Sequence, residues 1–180
     1  MNPSPAGAQA RVFFALWPND EERTALAVWQ VPLLNVCGGR AMRTDTLHST
    51  LVFLGEIERT RLEALRLAAH EIDGACFELS FEVARYWGHN HIAYAAPTHI
   101  PPELPRLVQQ LEQSLRRHHF RFELREFKPH ATLLRHAVWT DAPLPEMTRV
   151  SWQCKEFVLV ESQQNAQGAH YQVLEHFPLR

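Results

Sequence analysis

Histidine and threonine stand two residues apart at two places in the chain: His48 and Thr50 in LHSTLVFLG, residues 47–55, and His130 and Thr132 in PHATLLRHA, residues 129–137. In an extended strand, side chains two apart share a face. Each pair therefore projects together, while Ser49, Leu51, Ala131 and Leu133 point back. Imidazole titrates at about 6.5, so two of them can hold opposite protonation states near neutrality, one taking a proton and the other giving one. Threonine hydroxyls donate to anionic oxygens without adding a titratable charge. The set suits in-line displacement at phosphorus: a neutral histidine deprotonates water while an imidazolium on the opposite side protonates the departing oxygen. That chemistry requires no metal.

A single His-x-Thr carries little weight, because a lone histidine in an apolar strand is more often a hydrogen-bonded core residue than a catalyst. The surroundings of the two motifs change that. RVFFALW (11–17) is aromatic and β-branched and closes at Pro18, which reads as a buried strand. Asn19 caps a helix with Glu22 as its reciprocal partner, and Leu26 and Trp29 continue one apolar face. A loop with Pro32, Gly38 and Gly39 then leads to the first motif. In the second half HIAYAA (91–96) closes at Pro97, and a helix opens among Pro101, Pro102 and Pro105 with the stripe Leu104, Leu107, Val108, Leu111 and Leu115. Pro18 to His48 spans 30 positions and Pro97 to His130 spans 33. This order predicts a degenerate duplication whose lobes face each other and bring both motifs to one cleft.

Between the halves, Thr60 and Glu63 predict a second capping box, followed by an apolar face of Leu62, Leu65, Ala69 and Ile72 that stops at Gly74. CFELSFEVARYW (76–87) alternates like one strand, paired with 91–96 across a turn at Gly88. Two late strands are expected near 152–161 and 169–177. The fold class is α+β: two pseudo-symmetric lobes, each a small, mostly antiparallel sheet with outer helices, around a central groove that carries the two motifs. Residues 1–10 are expected to be a flexible tail and 11–180 one domain of two lobes.

The chain has 180 residues, 46% hydrophobic and 21% charged, with a net charge of −2. That balance belongs to globular proteins, and no global basic field tracks a long nucleic acid. Three cysteines, Cys37, Cys76 and Cys154, are scattered without CxxC spacing, against a disulfide framework or thiolate zinc site. The opening MNPSPAGAQA has neither a basic n-region nor a long apolar stretch, so neither signal peptide nor membrane anchor is expected. A reducing cytoplasm fits this composition best. Among 11 histidines, His89/His91 and His118/His119 are close in sequence, but no HExxH or His/Cys quartet forms, so no metal is expected.

With these motifs in place the chain resembles the 2H phosphoesterase superfamily, and within it the RNA 2′,3′-cyclic phosphodiesterase branch, also called 2′-5′ RNA ligases. The resemblance is carried by RVFFALWPND, LHSTLVFLGEI, FKPHATLLRHA and ESQQNAQGAHYQVL. It implies that His48 and His130 are the catalytic pair and that Thr50 and Thr132 bind the scissile phosphate. It also implies metal-independent hydrolysis of a 2′,3′-cyclic phosphate to the 2′-phosphomonoester, with 2′-5′ ligation as the reverse activity. In the hydrolytic direction His130 is assigned as base and His48 as acid. Arg135 matches the basic residue that follows the second motif and would pair with a phosphate oxygen. Its offset of five from His130 is odd, so a bulge or a strand end has to turn it toward the cleft. Phe14 and Tyr171 match positions near the nucleotide, and for Phe14 core packing is the competing reading. Gln163-Gln164 departs from the family, where an arginine and an apolar residue are usual.

The expected substrates are RNA 3′ ends or small cyclic nucleotides, with no cofactor, no membrane, no obligate protein partner and a monomeric chain. Competing readings are a family member acting on 2′-5′ oligonucleotides or a cyclic phosphate of ADP-ribose, and an RNA-end binding module without turnover. Permanently charged Arg or Lys would serve binding alone better than two histidines do. RRHHFRF (116–122) is either a guide for RNA or the favourable positive end of a helix, and Asp45 either orients His48 or caps a turn.

Overall fold

A computed structural model describes residues 8–180. The first half contains β1 (Gln9–Leu16), α1 (Asp20–Ala27), α2 (Gln30–Cys37), β2 (Arg40–Ala41), β3 (Ser49–Glu58), α3 (Leu62–His70), β4 (Phe77–Phe81) and β5 (Val83–Trp87). The second contains β6 (Ile92–Ala96), α4 (Glu103–Arg117), β7 (Ala131–Arg135), β8 (Val150–Cys154), β9 (Glu156–Asn165) and β10 (Gly168–Pro178). Two antiparallel four-stranded sheets result, ordered β10-β9-β1-β3 and β2-β7-β6-β5, and β4 pairs with β8 in a separate two-stranded ladder. The expected α+β architecture of two sheets with outer helices is what forms.

The halves exchange parts. β1 and β3 match β6 and β7, but β5 of the first half joins the second sheet while β9 of the second half joins the first. Helix α2 packs on β7, and α4 packs on β3. In the ladder of β4 with β8, fully buried Leu79 stands opposite Trp152, and the ladder contacts α1 through β8 and β6 through β4. One face of each sheet joins the main core: Val12, Phe14 and Leu16 from β1, Ala93 and Ala95 from β6, and Leu104, Leu107, Val108, Leu111 and Leu115 from α4. Burying each of those helix leucines contributes roughly 1.5–3 kcal/mol. The opposite faces carry two smaller apolar clusters, Phe13, Ala15, Val158 and Val160 on the first sheet and Ile92, Tyr94 and Ala96 on the second.

Several expectations change. Residues 30–37 are helix, not loop, because Pro32 falls in the first turn, where no intrahelical partner for its missing N–H is needed. The Asn19–Glu22 capping box is present, but Thr60–Glu63 is not one. A 3-10 turn over Arg59–Arg61 precedes α3, whose N-cap is Arg61 without a side-chain cap, and α3 ends at His70 rather than Gly74. The run 76–87 is two strands broken at Glu82, and 152–161 is broken at Lys155, each piece serving a different sheet. The expected tail lies outside the described residues over 1–7, while Gln9 and buried Ala10 already belong to β1.

Candidate active site

Both motif histidines stand one residue before their strands, His48 before β3 and His130 before β7, and both line one groove of about 870 Å³ between the sheets. Nδ1 of His48 lies 2.7 Å from the carbonyl of Thr46, and Nδ1 of His130 lies 2.7 Å from the carbonyl of Lys128. A carbonyl only accepts, so each Nδ1 carries the proton and donates it. Each Nε2 is then the atom left to exchange protons. The same bond to the residue two positions upstream fixes tautomer and ring orientation twice.

The ring environments differ. His48 is packed among Phe13 (centroids 5.1 Å), Trp17 (5.4 Å, stacked) and Tyr171 (5.3 Å, edge-on). His130 meets Trp87 at 4.6 Å and Tyr94 at 5.5 Å, both edge-on. Burial pushes the His48 pKa down to about 4, with the charges of His130, Arg23 and Arg135 adding to the effect against the Thr46 carbonyl bond. Burial also lowers His130, with Arg125 adding to it and the Lys128 carbonyl opposing. Both rings are therefore neutral at pH 7 in the free protein.

Behind Trp17 lies Arg23, only 7% exposed, its guanidinium carbon 4.7 Å from the indole centroid. Its Nε donates to the carbonyl of Leu47 at 3.2 Å, one terminal nitrogen reaches exposed Asp20 at 4.0 Å, and the other has no partner among the described residues. Guanidinium, indole and imidazole thus form a stack that ends on His48.

Thr50 and Thr132 line the groove beside their histidines. The leucine after each threonine is a bulge: Leu51 has no partner between Phe14↔Val52 and Ala15↔Thr50, and Leu133 has none between Ala93↔Leu134 and Tyr94↔Thr132. An unpaired residue reverses the alternation beyond it. Arg135 therefore returns to the face of Thr132 and lines the groove, as its expected role requires, and its counterpart Phe53 returns to the face of Thr50. Gly39, at φ 87°, lets the chain between α2 and β2 pass against the end of β7, where a Cβ would lie 2.8 Å from the Ala137 nitrogen. Gln30 Nε2 donates to the carbonyls of Met42 (2.8 Å) and Leu133 (3.1 Å), tying α2 to the second motif strand.

Tyr171 lines the groove; Phe14 does not. Phe14 is fully buried against Phe157 and Phe177 on the helix side of β1, and its neighbour Phe13 is the groove aromatic. Because β1 is apolar on both faces, composition gave no parity signal to separate the two. Trp17, Arg23 and Trp87 carried no motif and were missed as neighbours of the histidines. Asp45 pairs with Arg43, not His48. In the basic stretch Arg117 and His118 bind Glu71, so it serves the contact of α3 with α4. Among the described residues no group of three or more His, Cys, Asp or Glu could hold a metal ion, and no helix is long and apolar enough to cross a membrane.

Comparison with known proteins gives a consistent result. A family model described as LigT like Phosphoesterase matches twice, over residues 16–94 and 95–171, in keeping with the duplication. The RNA 2′,3′-cyclic phosphodiesterase of Escherichia coli (strain K12) is 31% identical over 152 residues, covering 84% of this chain and 86% of that one. Its namesake from Thermus thermophilus is 29% identical over 182 residues, covering 94% and 90%. The crystal structure of E. coli LigT complexed with 3′-AMP superposes with a TM-score of 0.85 at 28% identity, covering 96% of this chain and 99% of that one.

Proposed function

The chain belongs to the LigT-like phosphoesterase family, and on that premise we propose that it is an RNA 2′,3′-cyclic phosphodiesterase that opens a terminal cyclic phosphate to the 2′-phosphomonoester by paired-histidine acid–base chemistry. The observation that carries the reading is the matched pinning of two imidazoles, Nδ1 to a backbone carbonyl and Nε2 free, at one groove. Water attacks phosphorus as its proton passes to Nε2 of neutral His130. The bond to O3′ breaks, and Nε2 of protonated His48 supplies the proton to that oxygen. Thr50, Thr132 and Arg135 hold the non-bridging oxygens, where charge builds in the transition state.

The acid forms when substrate binds. A phosphodiester between the rings brings a negative charge that favours an imidazolium. His48, hard to protonate in the free protein, is for that reason the stronger acid once it carries the proton. The same step with a ribose 5′-hydroxyl in place of water joins RNA ends by a 2′-5′ bond, and its reversal cleaves that bond to regenerate the cyclic phosphate. The protein is proposed to act as a single chain in the cytoplasm on RNA ends or small cyclic nucleotides, without a metal.

The test is an oligonucleotide ending in 2′,3′-cyclic phosphate, with the product identified by which hydroxyl retains phosphorus. The 2′-phosphate is expected, undiminished by EDTA. His48→Ala and His130→Ala should each lower kcat by about 10²–10⁴-fold in a folded protein. Either variant turning over at the wild-type rate overturns the acid–base roles, and a 3′-phosphate product overturns the bond assignment.

A further inference from the structure

On the groove face of the first sheet, Arg11, Ser162 and Tyr171 stand opposite one another on β1, β9 and β10. All three line the groove, and Gln164 follows Ser162 on the same face. Directly opposite residues in a ladder share a face, so the row presents a guanidinium, a hydroxyl and a phenol side by side. Glu56 faces Arg11 from β3, but no ion pair joins them among the described residues. Instead the guanidinium carbon of Arg11 lies over the Phe53 ring, 4.9 Å from its centroid. It leans along the sheet toward the first motif. Phe53 is the counterpart of Arg135, so the half that lacks an arginine at that position receives one from β1.

The charge is displaced from the reactive centre by a definite step. Phe53 is opposite Phe13, and Thr50 is opposite Ala15. Two strand residues span roughly 7 Å, and with its guanidinium over the Phe53 ring rather than at Thr50 Arg11 is displaced by a step of the order of that between neighbouring phosphates on one strand. Arginine suits a phosphodiester because its planar fork of donors matches two oxygens at once.

We propose that Arg11, with Ser162 and Tyr171 beside it, forms a second anion subsite that takes the phosphodiester next to the reactive terminal nucleotide, so that oligonucleotide ends are better substrates than free cyclic mononucleotides. The proposal rests on the hydrolytic reading above and adds to it a preference for chain length. A mononucleotide has no second phosphate and does not reach the subsite.

The test compares adenosine 2′,3′-cyclic phosphate with a diadenosine dinucleotide that ends in the same cyclic phosphate. Wild-type protein should favour the dinucleotide. Arg11→Ala should lower kcat/KM on the dinucleotide about tenfold, the scale of one charge-assisted phosphate contact, and leave the mononucleotide unchanged, which also shows that the fold is intact. Arg11→Lys should retain part of the preference. The slope of log KM against log salt for the dinucleotide should become shallower by about 0.7 in Arg11→Ala. An equal fall on both substrates, or no fall on either, overturns the subsite while leaving the hydrolytic reading in place. A wild-type protein that turns over neither substrate overturns the hydrolytic reading itself, and the subsite with it.

Discussion

Removing Arg23 should make His48 easier to protonate by an amount that the stack itself sets. The guanidinium carbon is 4.7 Å from the Trp17 ring, and that ring is 5.4 Å from His48, so charge and imidazole are separated by no more than about 10 Å. With an effective dielectric constant near 20, a unit charge at that distance disfavours the imidazolium by about 1.7 kcal/mol, or about one pKa unit. Arg23→Met keeps the apolar stem and removes the charge, so the His48 pKa should rise about one unit from its value of about 4. Arg23→Lys keeps the charge and should leave it near wild type. His130 just before β7 and Arg135 at the end of β7 add their charges near the same ring, Tyr171 faces it from β10, and the Thr46 carbonyl holds its Nδ1; none of these changes in the variant. The assay is an NMR titration of the histidine ring resonances in free protein, paired with the pH dependence of kcat/KM, whose limb belonging to His48 should move with it. Burying an arginine with one unpartnered nitrogen is itself costly, so Met at this position need not destabilise the fold. A folded Arg23→Met protein with an unshifted His48 would refute the electrostatic reading of the stack.

Two further outcomes are expected. The depressed folded-state pKa of His48 means that the unfolded chain binds more protons between pH 6.5 and about 4, so stability is intact above that window and falls as pH drops through it. The fall is up to about 1.4 kcal/mol per pH unit, with His130 adding in the same direction; urea midpoints measured at intervals across this range check it, and His48→Phe should flatten the slope. Gln30→Leu removes the bonds to the Met42 and Leu133 carbonyls, of which only Leu133 keeps another donor, the Met42 N–H at 2.9 Å. It should cost about 1–3 kcal/mol in urea unfolding, and a loss within error of zero would show that this tie carries no weight.

The motif pairs were legible because a two-residue spacing has one meaning in a strand, and because each recurred after a proline-closed strand and a helix. The chain could not show that Leu51 and Leu133 go unpaired, since a bulge depends on what the neighbouring strand presents; the return of Arg135 to the cleft follows from that pairing alone. Phe13 and Phe14 were indistinguishable for a related reason: β1 buries both faces, one under helices and one beneath the groove. Glu82 and Lys155 interrupt runs that read as continuous, because alternation reports a strand's faces and not which sheet it joins. The helix over Gln30–Cys37 was obscured by a proline in the one turn that tolerates it.

The interchange of β5 and β9 means that neither half holds a complete sheet of its own. A half-length polypeptide could build this architecture only around a second copy of itself, and the two imidazoles of such a symmetric pair would have identical surroundings. Covalent fusion frees them to diverge. One ring acquires an indole backed by a cation, the other a pair of aromatic edges, and the proposed proton relay, which symmetry would leave without direction, gains one.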